Sequence, residues 1–353
     1  MADCKSSSDE FYSTIGPVHW CPHGDDSFFG NRQTAQQLLG VPHLHQKGFT
    51  GKNVNVVVVD QGLNAARLGV NYAGGWAVNG IQPGATRPQS DKPHGGHGMM
   101  VAANIVQAAP EARLYDLPMI PAEPKRIDEI EKFFVETGVP AFTKMLDDIN
   151  KRSGQWILVN AWAIFDRSSD PDGNYTSNPA HDFNKLMDRA VAAGHDVIFG
   201  AGNCGEFCPN PRCGPNDHGP GKSIFGANSH PKVLTVGACR SDRVWLGYSS
   251  QGPGTLDPNK PDLCAPSEFT EDTNLATVNR GTSAACALTA GIVACLRSRW
   301  NSKSVSPGEL KDILNRTATN ENGERNDMIG NGILNASAAC DALNRRARPG
   351  PKG

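Results

Sequence analysis

The chain has 353 residues, of which 38% are hydrophobic and 20% charged, with a formal net charge of -2. This composition fits one large globular domain, or two small ones, with a sizeable core. The charge gives no reason to expect nucleic acid or a membrane as a partner, and no apolar run reaches transmembrane length. The N-terminus lacks the apolar core of a secretory signal, so we expect a cytoplasmic protein, although a mature secreted form would look the same.

The first third of the chain contains one β-branched run that anchors the predicted fold. Residues 1–30 are mostly polar and are predicted to form an irregular arm, and an amphipathic helical pattern follows from Thr34 until a proline interrupts it. The run Val54–Val59 is typical of a strand buried on both faces of a parallel sheet, with Asp60 at its carboxyl end. Residues 63–93, with scattered Gly, Asn and Pro, are predicted to be loop.

Two histidines stand three residues apart where a helix of small residues begins. The pair His94 and His97 could suggest a metal site. No carboxylate or further histidine lies at ligand spacing on that helix, so a histidine that caps or packs is the commoner alternative.

The rest of the chain alternates between predicted strands and helices. Strands are predicted at 112–117, 156–162, 196–202 and 233–238, and helices at 126–152 with a break near 138–140, at 181–193, at 283–300 and from Ser306. Residues 260–266 are interpreted as a connecting segment. Strand–helix–strand alternation implies right-handed crossovers and an α/β fold with a mainly parallel sheet. We find no internal repeat, so one domain is the better count.

A Gly-Thr-Ser turn at residues 281–283 runs into a long apolar segment. Ser283 would then lie at a helix N-terminus, where free N–H groups and the positive dipole end favour developing negative charge. Alone, such a serine is more often an N-cap, and Asp60 alone is more often a turn residue. With one of the two histidines, however, they supply an acid, a base and a nucleophile from three elements at one edge of the sheet.

These motifs resemble those of the subtilases, the family of subtilisin-like serine proteases, over about residues 34–339. The order Asp, His, Ser along the chain is that of the family. The supporting segments are Lys47–Gly51, Val57–Gly62, Gly247–Pro253, Lys260–Leu263, Gly281–Ser283 and Gly330–Asn335. The family motif His-Gly-Thr-x-Val-Ala matches the sequence from His97 at every position but the Thr, and matches poorly from His94. The resemblance therefore implies Asp60, His97 and Ser283 as catalytic residues, with His94 as the alternative base.

The resemblance also implies a three-layer subtilisin-like fold for residues 31–340, with helices on both faces of the sheet. Asn203, which ends an Ala-Gly-Asn strand, would donate its side-chain amide to the oxyanion. Four residues are expected to bind substrate: Asn160, Ala161, Trp162 and Gly202. The implied activity is a serine endopeptidase that forms an acyl-enzyme on a protein or peptide substrate, without a required cofactor.

Several positions depart from the family pattern. Met99 replaces the usual Thr after the base, and Ala284–Ala287 lacks the usual proline after the nucleophile. Trp162 stands where a small residue is common, which affects the width of the first specificity pocket. The preference for the residue before the scissile bond therefore cannot be carried over from the family.

Metal sites are not predicted, although two stretches were considered. The calcium loop common in the family is absent from the helix after His97, and residues 170–174 could supply oxygen ligands but more often form an ordinary turn. Cys204, Cys208 and Cys213 cluster after Asn203, with His218 nearby. They could bind zinc, stay free, or form a disulfide such as Cys208 to Cys213 in an oxidising environment.

Two alternative functions remain open at this stage: a peptide-maturation protease or transpeptidase of narrow specificity, and a non-catalytic pseudoprotease. The arm is too short to be the usual prodomain, and we consider the hypothesis that it regulates the enzyme by covering the site. The basic stretch at residues 341–353 is predicted to be a disordered tail.

Overall fold

A nine-stranded sheet forms the centre of the computed structural model, which describes residues 19–24, 27–85, 95–121, 129–271, 277–321 and 323–346. The strands are β1 (His19–Trp20), β2 (Val54–Asp60), β3 (Tyr72–Gly75), β4 (Arg113–Pro118), β5 (Gln155–Asn160), β6 (Asp196–Gly200), β7 (Leu234–Cys239), β8 (Trp245–Leu246) and β9 (Leu263–Pro266). Their order across the sheet is β1-β8-β7-β6-β5-β2-β4-β3, with β9 also paired to β7. All of these pairings are parallel except that of β7 with β8. A separate antiparallel pair joins β10 (Phe269–Thr270) to β11 (Val278–Asn279).

Helices cover both faces of this sheet. They are α1 (Arg32–Leu39), α2 (Val41–Gln46), α3 (Ala65–Leu68), α4 (His97–Ala108), α5 (Ile130–Phe133), α6 (Val139–Ile149), α7 (Asp182–Ala192), α8 (Gly281–Arg297), α9 (Pro307–Thr317) and α10 (Ala336–Arg346). Apolar residues of α1, α2, α4, α8, α9 and α10 share one core, and those of α5, α6 and α7 share the other. The three-layer α/β fold with a mainly parallel sheet is therefore confirmed.

Strand β2 shows why this sheet needs two cores. Val56 and Val58 point into the core that contains α4 and α8, whereas Val57 and Val59 point into the opposite core. Successive side chains alternate between faces, so Asp60 lies on the same face as Val56 and Val58. The strand thus presents a carboxylate at its carboxyl end toward helices α4 and α8.

Several local predictions were wrong. The predicted loop at 63–93 contains α3 and β3, and the connecting segment at 260–266 contains β9. The proline at position 42 does not end the helical region, because it occupies the first turn of α2, where its missing N–H costs nothing. The break near 138–140 is confirmed: a π-helical turn, Phe134–Gly138, separates α5 from α6.

Both termini differ from their predictions. Part of the expected irregular arm forms β1, which pairs with β8. The expected tail from residue 341 is helical as far as Arg346, because Cys340 and Leu343 on α10 are buried against the core. Residues 1–18 and 347–353 lie outside the described part of the chain.

Candidate active site

The carboxylate of Asp60 and the imidazole of His97 form the first half of the site. Asp60 is the buried last residue of β2, and its Oδ1 accepts the N–H of Gln61 at 2.7 Å. His97 is the first residue of α4, and its Nδ1 lies 2.8 and 2.9 Å from the two carboxylate oxygens. An ionised carboxylate can only accept, so Nδ1 carries the proton and Nε2 is left as an acceptor.

A glycine lets α4 approach β2 closely enough for this contact. A Cβ added to Gly98 would lie 2.5 Å from the carbonyl oxygen of Gly62. A side chain at position 98 would therefore push α4, and His97 with it, away from Asp60.

The hydroxyl of Ser283 completes a hydrogen-bonded chain of three side chains. Ser283 is the third residue of α8, and its Oγ lies 2.9 Å from Nε2 of His97. The same oxygen lies 3.1 Å from the carbonyl oxygen of Ala161. The arrangement can move the hydroxyl proton from Ser283 to His97, while Asp60 stabilises the imidazolium that results.

The side chain of Asn203 is oriented by the residue that precedes Ser283. Its Oδ1 accepts the N–H of Thr282 at 2.9 Å and the Thr282 hydroxyl at 3.1 Å. Because a backbone N–H can only donate, this contact fixes which end of the amide is oxygen and leaves Nδ2 as a donor on the other side. The Thr282 hydroxyl oxygen also accepts the N–H of Gly202 at 3.1 Å, which ties the end of β6 to the start of α8.

The first turn of α8 leaves one N–H group free at the nucleophile. Gly281 has a φ of +69°, and a Cβ there would lie 3.0 Å from Nδ2 of Asn203, so both conformation and space favour glycine. The N–H of Gly281 donates to the hydroxyl of Tyr248 at 3.1 Å, and that of Thr282 is taken by Asn203. Within the described ranges the N–H of Ser283 has no acceptor. It can therefore bind a developing negative charge together with Nδ2 of Asn203.

Opposing effects set the basicity of the imidazole. Burial lowers the pKa of His97, but the charge of Asp60 and its hydrogen bond raise it, and the net pKa lies above the usual 6.5. Arg212 makes a further, smaller contribution that lowers this pKa. The side chain of His97 keeps 35% of its exposure, so a substrate can reach it. A raised pKa favours a group that must accept a proton from a hydroxyl.

The structure brings together Asp60, His97, Ser283 and Asn203 from four separate segments. The alternative base, His94, lies outside the described residues.

Among the expected substrate-binding residues, Trp162 differs from its prediction. Its ring is only 8% exposed and packs edge-on against Phe183 and Phe199, with centroids 5.7 and 5.6 Å away. Its Nε1 donates to Oδ1 of the buried Asn160 at 3.2 Å. Because this aromatic cluster encloses the ring, Trp162 belongs to the core behind the strand and offers substrate little surface. Ala161, through its carbonyl next to Ser283, and Gly202, beside Asn203, remain at the site.

The cysteine cluster after Asn203 is paired differently from the expected disulfide. Cys204 bonds to Cys213, and Cys208 bonds to Cys21 of the N-terminal arm. The expected Cys208–Cys213 pair is therefore wrong, and these three sulfurs are not available as zinc ligands. Cys21 directly follows β1, and the pairing of β1 with β8 brings it to this loop.

The candidate calcium loop is occupied by its own backbone. The buried carboxylate of Asp170 accepts N–H groups from Asn174, Tyr175 and Thr176 at 2.6 to 3.2 Å, and the Thr176 hydroxyl at 2.8 Å. These donors favour the interpretation as an ordinary turn, because the carboxylate oxygens already have partners.

Sequence reasoning missed a second buried carboxylate beside Asp60. Oδ2 of Asp116 on β4 accepts the N–H groups of Leu63 at 3.0 Å and Gly84 at 2.8 Å, while Oδ1 has no partner within the described residues. Burial raises the pKa of Asp116 to about 6, with Asp60 adding to the rise and the two N–H donors opposing it. An aspartate in the middle of a strand predicted as buried could have marked this position.

Two other features lie away from the site. Potential metal-ligand atoms of His43, Cys340 and Asp341, on α2 and α10, lie within 4.8 Å of one another. A groove of about 1180 Å³ runs along α6, between Trp76 and His181. In the described residues, no helix is both long and apolar enough to cross a membrane.

Sequence comparisons relate this site to known proteins. A family model described as the subtilase family matches residues 51–332. Subtilisin E of Bacillus subtilis is 27% identical over 312 residues, which cover 86% of this chain and 69% of that protein. Subtilisin of Bacillus pumilus is also 27% identical over 312 residues, covering 86% of this chain and 96% of that protein.

Solved structures resemble the fold. The MycP1 structure from Mycobacterium smegmatis has a TM-score of 0.58 at 19% identity, covering 92% of this chain and 90% of that one. A serine protease of Aeromonas sobria has a TM-score of 0.63 at 18% identity, covering 96% of this chain and 71% of that one. At these identities the likeness concerns the fold alone.

Proposed function

The chain belongs to the subtilase family, a family of serine peptidases, and on that premise we propose that it is an endopeptidase using Asp60, His97 and Ser283 through an acyl-enzyme intermediate. The observation that carries the proposal is the continuous hydrogen-bonded chain from Asp60 through His97 to Oγ of Ser283. A serine hydroxyl is a poor nucleophile at neutral pH unless an oriented imidazole takes its proton.

In the proposed first step, Oγ of Ser283 attacks the scissile carbonyl carbon and its proton passes to Nε2 of His97. The carbonyl oxygen becomes an oxyanion, which the N–H of Ser283 and Nδ2 of Asn203 stabilise. When the tetrahedral intermediate collapses, the carbon–nitrogen bond breaks and His97 gives the proton to the leaving amine. Water then attacks the acyl ester by the same route, which releases the acid and restores Ser283.

A narrower alternative is a maturation protease or transpeptidase that acts on one peptide. The observation in its favour is the bulky Trp162 and the doubly disulfide-linked segment after Asn203, which together reshape the region beside the nucleophile. A panel of unrelated unfolded proteins separates the two: a general endopeptidase cleaves most of them, and a dedicated one leaves them intact. The pseudoprotease alternative requires Ser283 to be unreactive.

The proposed substrate is a protein or peptide, and the proposed mechanism requires no cofactor. We expected a cytoplasmic protein, but the two disulfides favour an oxidising compartment, and we now propose that location instead. Alkylation of the native protein followed by mass spectrometry would test it: Cys21, Cys204, Cys208 and Cys213 should be protected unless a reductant is added.

The test of activity is labelling with a fluorophosphonate probe, comparing the wild type with Ser283→Ala. We expect labelling of the wild type only, together with peptide hydrolysis that the substitution abolishes. A folded wild type that neither labels nor hydrolyses any peptide would refute the proposal.

A further inference from the structure

A short segment closed by the Cys204–Cys213 disulfide joins the two sides of the candidate cleft. The N–H of Asn210 donates to the carbonyl of Asn203 at 2.9 Å, and the N–H of Gly214 donates to the carbonyl of Phe165 at 2.8 Å. We call residues 210–214 the bridge segment. It connects the chain that carries the oxyanion donor to the chain that continues from Ala161.

Arg212 lies in the middle of the bridge segment and is held in place by two contacts. Its guanidinium carbon lies 4.0 Å from the ring centroid of Phe165. Its Nε and its backbone N–H both donate to Oδ1 of Asn210, at 3.1 and 3.0 Å. The planar group is therefore oriented before any ligand arrives.

The remaining donors of Arg212 are not used within the described residues. No carboxylate in those ranges lies within ion-pair distance of it, and its Nη atoms donate to no protein acceptor there. Arg167 provides the contrast: it also stacks on a ring, that of Phe225 at 4.2 Å, but Asp217 neutralises it at 2.8 Å. Burial lowers the pKa of Arg212, which shows that the unpaired cation has lost part of its hydration.

The charge of Arg212 also reaches the reacting groups. It lowers the pKa of His97, so the guanidinium acts electrostatically on the imidazole. With Asn203 on one side of the bridge segment and the chain from Ala161 on the other, Arg212 is next to the place where a scissile bond would lie.

Resting on the proposed peptidase function, we propose that Arg212 binds a side-chain carboxylate of the substrate next to the scissile bond, so that the enzyme selects aspartate or glutamate there. A guanidinium offers parallel N–H donors that match the two oxygens of a carboxylate, and stacking on Phe165 keeps this fork in one plane. A partly desolvated cation without a counter-charge interacts more strongly with an incoming anion than a hydrated surface cation does. Trp162 occupies the adjacent core, so selectivity by charge is the recognition that this region still offers.

The test maps cleavage sites by mass spectrometry in unfolded proteins digested by three forms of the full chain: wild type, Arg212→Gln and Arg299→Gln. Gln keeps much of the length of Arg and loses the charge. Arg299 is the matched control, because it also lies beside a ring, that of Trp300, and is exposed. The part of α8 between Ser283 and Arg297 separates it from the site by about 20 Å.

We expect acidic residues at one position beside the cut to be enriched about tenfold in wild type and in Arg299→Gln, and not in Arg212→Gln, as the loss of one charged hydrogen-bond pair predicts. Arg212→Lys should retain part of the enrichment, since it keeps the charge without the planar fork. Absence of enrichment in wild type, or equal enrichment in Arg212→Gln, would overturn the inference. Melting temperatures of the variants identify any that fail to fold.

A binding measurement separates this inference from the proposed function. Acetylated, C-terminally amidated heptapeptides that differ only in one Asp or Asn are titrated against Ser283→Ala, which needs no turnover. The Asp peptides should bind about tenfold more tightly, and this difference should vanish in Ser283→Ala with Arg212→Gln. Equal affinities would reject the role of Arg212 even in an active protease, whereas inactivity of the wild type with a retained difference would reject only the peptidase proposal.

Discussion

The amide oxygen of Asn203 accepts the backbone N–H of Thr282, the residue directly before the nucleophile, at 2.9 Å. One hydrogen bond therefore orients the expected oxyanion donor and fixes the start of the helix that presents Ser283. The two parts of the site are positioned by each other rather than by separate supports.

Replacing Asn203 should reduce turnover without unfolding the protein. Asn203→Asp can still accept the N–H of Thr282 but has no donor for the oxyanion, and Asn203→Leu loses both contacts. In subtilisin, removing the oxyanion-hole asparagine lowers kcat about 10²- to 10³-fold, and we expect the same range for both variants with a smaller change in KM. Steady-state kinetics measures this, and a loss of only a few fold would show that Nδ2 does not contact the oxyanion.

The pH profile should report the balance of charges around His97. The base must be neutral, so kcat/KM should fall below a pKa that lies above 6.5 in the wild type. Arg212 lowers this pKa, so Arg212→Gln should move the acid limb to higher pH. Asp60→Asn removes the raising contributions, should move the limb to lower pH, and should reduce kcat about 10⁴-fold, as the equivalent change does in a trypsin-like enzyme. Superimposable limbs for wild type and Arg212→Gln would contradict the electrostatic assignment.

The buried Asp116 should make folding stability fall as pH rises. Its folded pKa of about 6 exceeds the value of 3.8 for a solvated aspartate, so the folded protein holds this proton longer than the unfolded chain. The contribution is complete below pH 4 and is lost as pH rises through about 6, a change of about 3 kcal/mol. Asp116→Asn does not titrate, so its stability relative to wild type should increase by about that amount between pH 4 and 8. Urea unfolding at several pH values measures the difference, and parallel curves would show that Asp116 does not titrate as stated.

The two disulfides should differ in what they contribute. Cys21–Cys208 joins residues 187 apart and Cys204–Cys213 joins residues 9 apart. Chain entropy predicts losses of about 5 and about 3 kcal/mol on removal by paired Cys→Ser substitutions. Removing the short link should lower kcat more, because it closes the segment that begins at Asn203. Guanidinium unfolding and kinetics on both double variants test the two rankings, and a reversal of both would contradict the assignment.

The sequence was sufficient for the parallel sheet and for the residues that meet at its edge. The β-branched run before Asp60 and the small residues around His97 and Ser283 are local patterns whose outcome does not depend on distant contacts. The capping box at Ser306 was equally local and is present. Short strands such as β1 and β8 were missed because two residues carry no periodicity, and they exist only through pairing.

The parts of the site that sequence reasoning missed depend on contacts between distant segments. Trp162 was assigned to a pocket from its position in the chain, but Phe183 and Phe199 enclose it. The Cys21–Cys208 link could not be found from spacing, since its partners are far apart in the sequence. Arg212 appeared to be an ordinary loop residue until its stacking partner and its lack of a counter-charge were visible.

The link between Cys21 and Cys208 also changes what self-digestion would look like. If the protease cuts itself once at any peptide bond between these two positions, the pieces stay covalently joined. A preparation would then migrate as one intact band on a non-reducing gel and as two bands after reduction. Purity judged without a reductant would therefore miss a clipped population, and storage stability should be assessed on reduced samples.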